Sequence, residues 1–162
     1  MADSSFDIVS KIDQMELDNA FNQCDREIAT RFDFKNTGSK IEKTGLKVTL
    51  EADTEERVKA VLDVFKDKLI KRNVSLKHLD ASEPSLSGKT YGIKCEFKEG
   101  ITTENAKKIA KFLKESGPKS LKTQIQGEEL RVSSKSRDDL QIAIAQVKKE
   151  SWDFAVQFTN YR

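Results

Sequence analysis

Cations and aromatic rings alternate in Thr30-Arg31-Phe32-Asp33-Phe34-Lys35, a spacing that can serve phosphate binding and base stacking together. Read as a strand, the run puts Phe32 and Phe34 on one face and Arg31, Asp33 and Lys35 on the other. If the rings face helices they are core, and Arg31 and Lys35 are left to contact phosphate. If they face outward they form a stacking platform. A second group runs from Gln124 and Gln126 through Arg131 to Lys135 and Arg137. Its amides can read base edges, and its last two cations stand at a helix start, where free N–H groups favour an anion. A third stretch, Gln157-Phe158-Thr159-Asn160-Tyr161-Arg162, alternates polar and aromatic side chains.

Catalytic chemistry has few carriers. His78 is the only histidine and has no recognisable partner, so it reads as a strand-end residue rather than a general base. Cys24 falls in a helical apolar stripe and Cys95 on an apolar strand face, which suits small core residues better than nucleophiles. Neither GxxxxGK[ST] nor GxGxxG occurs, and Asp138-Asp139 sit in the first turn of a helix, where dipole and capping explain them. No Cys/His spacing suggests zinc. The expectation is a binding protein without catalytic residues, metal or cofactor.

The elements that position these groups follow from periodicity. Residues 13–31 open with Asp13 and Glu16 in capping-box spacing and set Leu17, Ala20, Phe21, Cys24 and Ile28 on one stripe. Residues 53–72 repeat the plan, with Asp53 as expected cap and Lys68, Lys71 and Arg72 closing the helix. Residues 103–116, ending at Gly117-Pro118, and 136–150 read as two more helices. Alternation marks strands at Phe6 and Ile8, Phe32 and Phe34, Val48 and Leu50, and Val74 and Leu76; after a loop spanning 80–88 it resumes at Tyr91 to Phe97, 121–126, 130–133 and around Phe158. Both halves spell βαββαβ and correspond at an offset of 83–85 residues, as in Phe6 with Tyr91 and Glu55 with Asp138. The fold class is therefore α+β: two ferredoxin-like repeats at 1–80 and 90–162 joined by a linker at 81–89, each an antiparallel sheet with helices on one face. The other face carries Lys47, Thr49, Lys94, Gln124, Gln126 and Arg131, polar and mildly basic.

Composition agrees with two small units. Of 162 residues 36% are hydrophobic and 35% charged, and 29 Lys+Arg against 27 Asp+Glu leave a net charge of +2. That argues against a general nucleic-acid coat and leaves room for a local anion site. No apolar run approaches the ~20 residues of a membrane span, and no basic segment followed by an apolar one opens the chain, so the expected setting is cytoplasmic, without membrane contact.

Four segments in this order carry a family resemblance: Ser5-Phe6-Asp7-Ile8-Val9-Ser10; Thr30-Arg31-Phe32-Asp33-Phe34-Lys35; Gln124-Ile125-Gln126-Gly127 with Lys135-Ser136-Arg137-Asp138-Asp139-Leu140-Gln141; and Gln157-Phe158-Thr159-Asn160-Tyr161-Arg162. Together they resemble the bacterial YajQ family, with Tyr161 where that pattern has phenylalanine. The resemblance implies two ferredoxin-like domains that exchange their first strands, so that 5–10 completes the second sheet and 90–98 the first. It also implies a nucleotide-binding protein, with RNA and cyclic di-guanylate among the ligands proposed for the family and no settled catalytic activity. On this reading the chain is a monomer that binds nucleotide or RNA through Arg31, Phe32, Phe34, Lys35, Gln124, Gln126, Arg131, Lys135 and Arg137. The alternative is a regulatory module whose sheet face docks a protein partner.

Overall fold

A computed structural model describes residues 3–162. In chain order the elements are β1 Ser4–Val9, α1 Gln14–Thr30, β2 Lys40–Thr44, β3 Lys47–Ala52, α2 Glu55–Lys71, β4 Leu79–Ala81, β5 Ser85–Ser87, β6 Thr90–Phe97, α3 Thr103–Ser116, β7 Lys122–Gln126, β8 Glu129–Ser134, α4 Arg137–Lys149 and β9 Gln157–Thr159. They form two compact units: Ile12–Lys98, and a composite unit joining the segment that ends at Lys11 to Glu99–Arg162.

The 12–98 unit has the strand order β2-β3-β6-β4, and the composite unit β7-β8-β1-β9. Every pairing is antiparallel. The strand preceding α1 in sequence pairs with β8 and β9, and the strand preceding α3 pairs with β3 and β4. Each unit thus has the βαββαβ path of a ferredoxin-like fold, as β6-α1-β2-β3-α2-β4 and as β1-α3-β7-β8-α4-β9. The low apolar content is divided between two clusters. One packs Leu17, Leu50, Phe65, Leu69 and Ile93; the other packs Phe6, Ile8, Ile109, Leu113, Leu130 and Val147. Among the described residues no helix is long and apolar enough to cross a membrane.

The caps fix where the helices begin. Asp13 accepts from the N–H groups of Met15 and Glu16, Thr102 from Asn105, and Ser136 from Asp139, each satisfying donors that the first turn leaves open. The second helix differs from expectation: Thr54, not Asp53, is its cap, and the Asp53 N–H instead donates to Thr37 O at 2.8 Å.

Two expected strands are 3-10 turns. At Phe32–Phe34 the N–H of Phe34 donates to Arg31 O and that of Lys35 to Phe32 O, both at 3.1 Å. At three residues per turn Arg31 and Phe34 stack, while Phe32 swings away. Alternation of only two rings fits a strand and a tight turn equally, and the edge strand lies further on, at Lys40–Thr44, where Ile41 is its one buried residue. Likewise Val74 and Leu76 lead into a 3-10 turn at Leu76–His78, and β4 begins only at Leu79. The segment 81–89 is not a free linker: Ser85, Leu86 and Ser87 pair with Gly92, Tyr91 and Thr90.

Candidate functional site

In the composite unit a depression of about 310 Å³ lies where β1 begins and α4 starts. Phe6, Leu140, Ile144 and Tyr161 give it apolar walls; Ser4, Ser5 and Gln141 add neutral polar groups, and Arg137 and Arg162 add charge. Helical periodicity explains the α4 contribution: with Ser136 as cap, Arg137, Leu140, Gln141 and Ile144 fall at three- and four-residue steps along one side. Arg137 Nε donates to Ser4 Oγ at 3.2 Å. Neither arginine has an ion-pair partner among the described residues.

The C-terminal wall is held by a buried acid. Asp7 is 1% exposed although it lies on the sheet face away from the helices, opposite Arg131 on β8 and Thr159 on β9. Arg131 Nε donates to Asp7 Oδ1 at 3.0 Å and Nη2 to Oδ2 at 3.4 Å, while Asn160 Nδ2 donates to Oδ2 at 2.9 Å. Burial pushes the Asp7 carboxyl up, but the Arg131 and Asn160 hydrogen bonds and the positive charges of Arg131 and Arg162 outweigh it, leaving it below the usual carboxylate range. Asn160 has φ of 55°, the left-handed region that asparagine tolerates, so the chain turns back beside β1. Arg162 N then donates to Ser5 O at 2.9 Å, and Ser5 N to Arg162 O at 3.1 Å. Tyr161 is 61% exposed, with its ring centroid 6.5 Å from that of Phe6.

Arg137 is the one expected site residue that lines this pocket. Gln124 is exposed on the outer sheet face opposite Arg131, Gln126 is half-buried, and Arg131 is committed to Asp7. Lys135 is exposed just before α4. Arg31, Phe32, Phe34 and Lys35 belong to the 12–98 unit. Phe34 is 3% exposed with the Arg31 guanidinium 5.0 Å above its ring, so it cannot stack on a base; Phe32 is 88% exposed. Arg31 is held by Glu27 at 3.0 Å and Asp33 at 2.7 Å. These hydrogen bonds, Asp33's first, push its pKa above the usual arginine value. Sequence reasoning marks the stretch that ends in Tyr161 and Arg162 without giving either a contact, and leaves out Gln141, Ser4 and Ser5. Their signal was legible: Tyr161 and Arg162 end the alternating tail, and Gln141 follows Arg137 by one helical turn.

The outer face of the 12–98 sheet holds a depression of about 480 Å³, but its charges alternate in sign, with Lys47 opposite Glu96. At one edge Lys40 is ion-paired with Glu42 and Glu51, and at the other Lys98 with Asp80. His78 is buried, its Nδ1 2.9 Å from Lys98 O. Burial pushes the Cys24 thiol up to about 12 and that of Cys95 to about 11, so neither supplies a thiolate near neutral pH. Among the described residues no three His, Cys, Asp or Glu side chains cluster as metal ligands would.

A family model described as nucleotide-binding protein YajQ-like matches residues 4–162. The chain is 62% identical over 162 residues to a protein of Streptomyces griseus, and 63% over 163 residues to one of Nocardioides. It is 60% identical over 163 residues to one of Mycobacterium tuberculosis. All three are named nucleotide-binding protein, and each alignment covers the full length of both chains. A match of this extent leaves one conclusion: the chain belongs to the YajQ-like family of nucleotide-binding proteins.

Proposed function

We propose that the protein binds a nucleotide in the composite-unit pocket and acts by binding rather than by catalysis. One observation carries this reading: two arginines that form no ion pair among the described residues and an exposed aromatic ring line the same small depression. Arg137 and Arg162 offer the phosphate charge-assisted donors, and the planar guanidinium suits two oxygens at once. Tyr161 stacks on the base, Phe6 backs its ring, and Gln141 presents an amide to the polar edge of the ligand. Arg31 and Lys35 contribute nothing to this pocket.

Calorimetric titration with GMP and AMP tests the reading. Saturable binding is expected, weakened by about tenfold or more in Arg162→Ala and in Arg137→Ala. Arg31→Ala should bind as the parent does. Absence of saturable binding below millimolar ligand, or equal affinity in all four proteins, would remove the pocket from consideration.

A further inference from the structure

The two sheets have four edges, and three of them are guarded. β2 carries Lys40, Glu42 and Lys43, all ion-paired; the edge formed by β4 and β5 is interrupted at Ser82-Glu83-Pro84; and β9 is only three residues long. Charge, proline and shortness each keep a foreign strand from pairing. The fourth edge, β7, has none of these beyond Lys122. Its Thr123-Gln124-Ile125-Gln126 is uncharged, holds no proline and pairs residue for residue with β8. The turn Gly127-Glu128 joins the two strands, with Gly127 at φ of 59°. In a two-residue hairpin the flanking residues, Gln126 and Glu129, exchange the first pair of bonds, and bonded pairs then alternate down the ladder. Thr123 and Ile125 therefore direct their backbone N–H and C=O away from β8, where no strand of the described residues meets them.

The layer against this edge is also incomplete. Thr123 and Ile125 are in register with Val132 and Leu130, which are buried on the helix side, yet both are exposed, Ile125 at 39%. Between α3 and β7 lies a depression of about 620 Å³, lined by Ala110, Leu121 and Thr123 and by the cations Lys111, Lys114 and Lys119. Among the described residues Lys114 and Lys119 form no ion pair, and Lys111 reaches Glu115 only at 4.0 Å. An occupant must bring backbone partners in line, apolar side chains at every second position, and negative charge.

We propose that β7 takes up an extended acidic segment of a partner protein as a fifth strand of the composite sheet. At about 4.8 Å from β7, its inward side chains fill the depression and its carboxylates meet Lys114, Lys119 and Lys122. A second copy of the chain fits poorly: β7 paired with its own counterpart lays α3 beside α3 and sets Lys111 and Lys114 against the same lysines. A nucleic-acid strand would meet the lysines but leave the outward N–H groups and apolar positions unused, and its phosphates would be repelled by the outward carbonyls. The site lies at the sheet's edge, shares no lining residue with the nucleotide pocket and does not depend on it.

The probe is the labelled heptapeptide Glu-Val-Glu-Val-Glu-Val-Glu, titrated into the full chain by fluorescence anisotropy and followed by amide hydrogen exchange in NMR spectra. It should bind saturably and protect the amides of Thr123 and Ile125, which adsorption by charge alone would not do. Proline in place of the central valine removes a ladder N–H and should abolish binding. The double variant Lys114→Glu with Lys119→Glu, at two exposed positions, should weaken the peptide about tenfold. Thr123→Pro removes an outward N–H and no bond to β8, and should abolish protection at Ile125. Circular dichroism checks that both variants are folded; if Thr123→Pro is not, the charge reversal and the two peptides still decide. No saturable binding below millimolar peptide, equal binding of the proline peptide, or binding without protection of the two amides overturns the added strand. Two further results overturn the acidic segment: a dimer by sedimentation with these amides protected in the absence of peptide, which assigns the edge to a second copy, or a DNA hexamer that binds more tightly and displaces the peptide, which assigns the lysines to phosphate.

Discussion

The loops 31–39 and 117–121 hold equivalent places, each joining the first helix of a βαββαβ path to an edge strand. Each is also bonded to the start of its unit's second helix, through Thr37 O with Asp53 N and through Ser120 Oγ with Asp139. There the likeness ends. The longer loop drives Phe34 into the core and clamps Arg31 between Glu27 and Asp33, with the Arg57 guanidinium 5.9 Å from the same ring. The shorter loop has no aromatic residue, and its Lys119 forms no ion pair among the described residues. The ends of the sheets differ similarly. After β4 the chain runs on into β5, which pairs with β6, whereas after β9 it turns at Asn160 and leaves a pocket open beside Phe6. A shared scaffold therefore does not make two equal sites; what decides is whether a cation is already neutralised by its own neighbours.

The sharpest break between the two loops is Phe34. As a fully packed ring it should cost about 3 kcal/mol or more on replacement by alanine, through lost burial and the cavity left behind. Phe32→Ala, at 88% exposure, should stay within about 0.5 kcal/mol of the parent. Urea denaturation of the two variants decides it: equal costs would mean that the turn does not anchor the loop.

Asp7 gives the next largest effect and has no counterpart in the 12–98 sheet, where Thr49 and Lys94 hold the register positions of Arg131 and Asp7. Asp7→Ala strands the Arg131 guanidinium and should cost about 2–3 kcal/mol, below the full cost of breaking a buried pair because Arg131 reaches solvent. The folded carboxyl titrates below its unfolded value, so its contribution is complete above the ordinary carboxylate range and is lost as pH falls through the folded value. Stability measured from neutral pH downward should therefore decline less steeply in Asp7→Ala than in the parent. A milder variant isolates the tail. Asn160→Gly keeps the positive φ but removes the bond to Asp7, and should lower stability by about 1 kcal/mol while weakening nucleotide binding several-fold through Tyr161 and Arg162. Unchanged affinity would show that the Asp7 link does not position the tail.

What the sequence disclosed follows from how each feature is encoded. The four helices, β1, β3, β6 and β8 announce themselves because each buries a periodic apolar stripe, and those stripes account for the βαββαβ order. The edge strand β2 is hidden, since only Ile41 turns inward. The turn at Phe32–Phe34 reads as a strand because two residues are too few to separate a period of two from one of three. Asp7 carried a usable signal: it is a lone acid among Phe6, Ile8 and Val9, and strand pairing supplies its partner in Arg131. The pocket draws on three segments far apart in sequence, of which Arg137 and the C-terminal stretch stand out singly, with nothing in the sequence to bring them together. Which cations are free is only partly written in the sequence: the Glu27–Arg31 pair is legible from its i,i+4 spacing, whereas Lys40 meets Glu51 and Lys68 meets Glu27 only once the elements pack.

The smallest expected effect is the strictest test of the contrast between loops. Arg31 grips Asp33 at two points, Nε to Oδ1 at 3.0 Å and Nη2 to Oδ2 at 2.7 Å, and this hydrogen bonding is the first cause holding Asp33 below the usual carboxylate range. Yet these groups are open to water, where screening and side-chain entropy cancel most of a pair's attraction. Arg31→Ala should therefore leave the melting temperature within about 1 °C of the parent. Nucleotide affinity should also be unchanged, because the guanidinium is saturated by its own acids and lies outside the pocket. If Arg31→Ala weakened binding as much as Arg162→Ala, neutralisation by local acids would not be what separates the two loops, and the exposed ring of Phe32 beside it would become the better candidate for stacking.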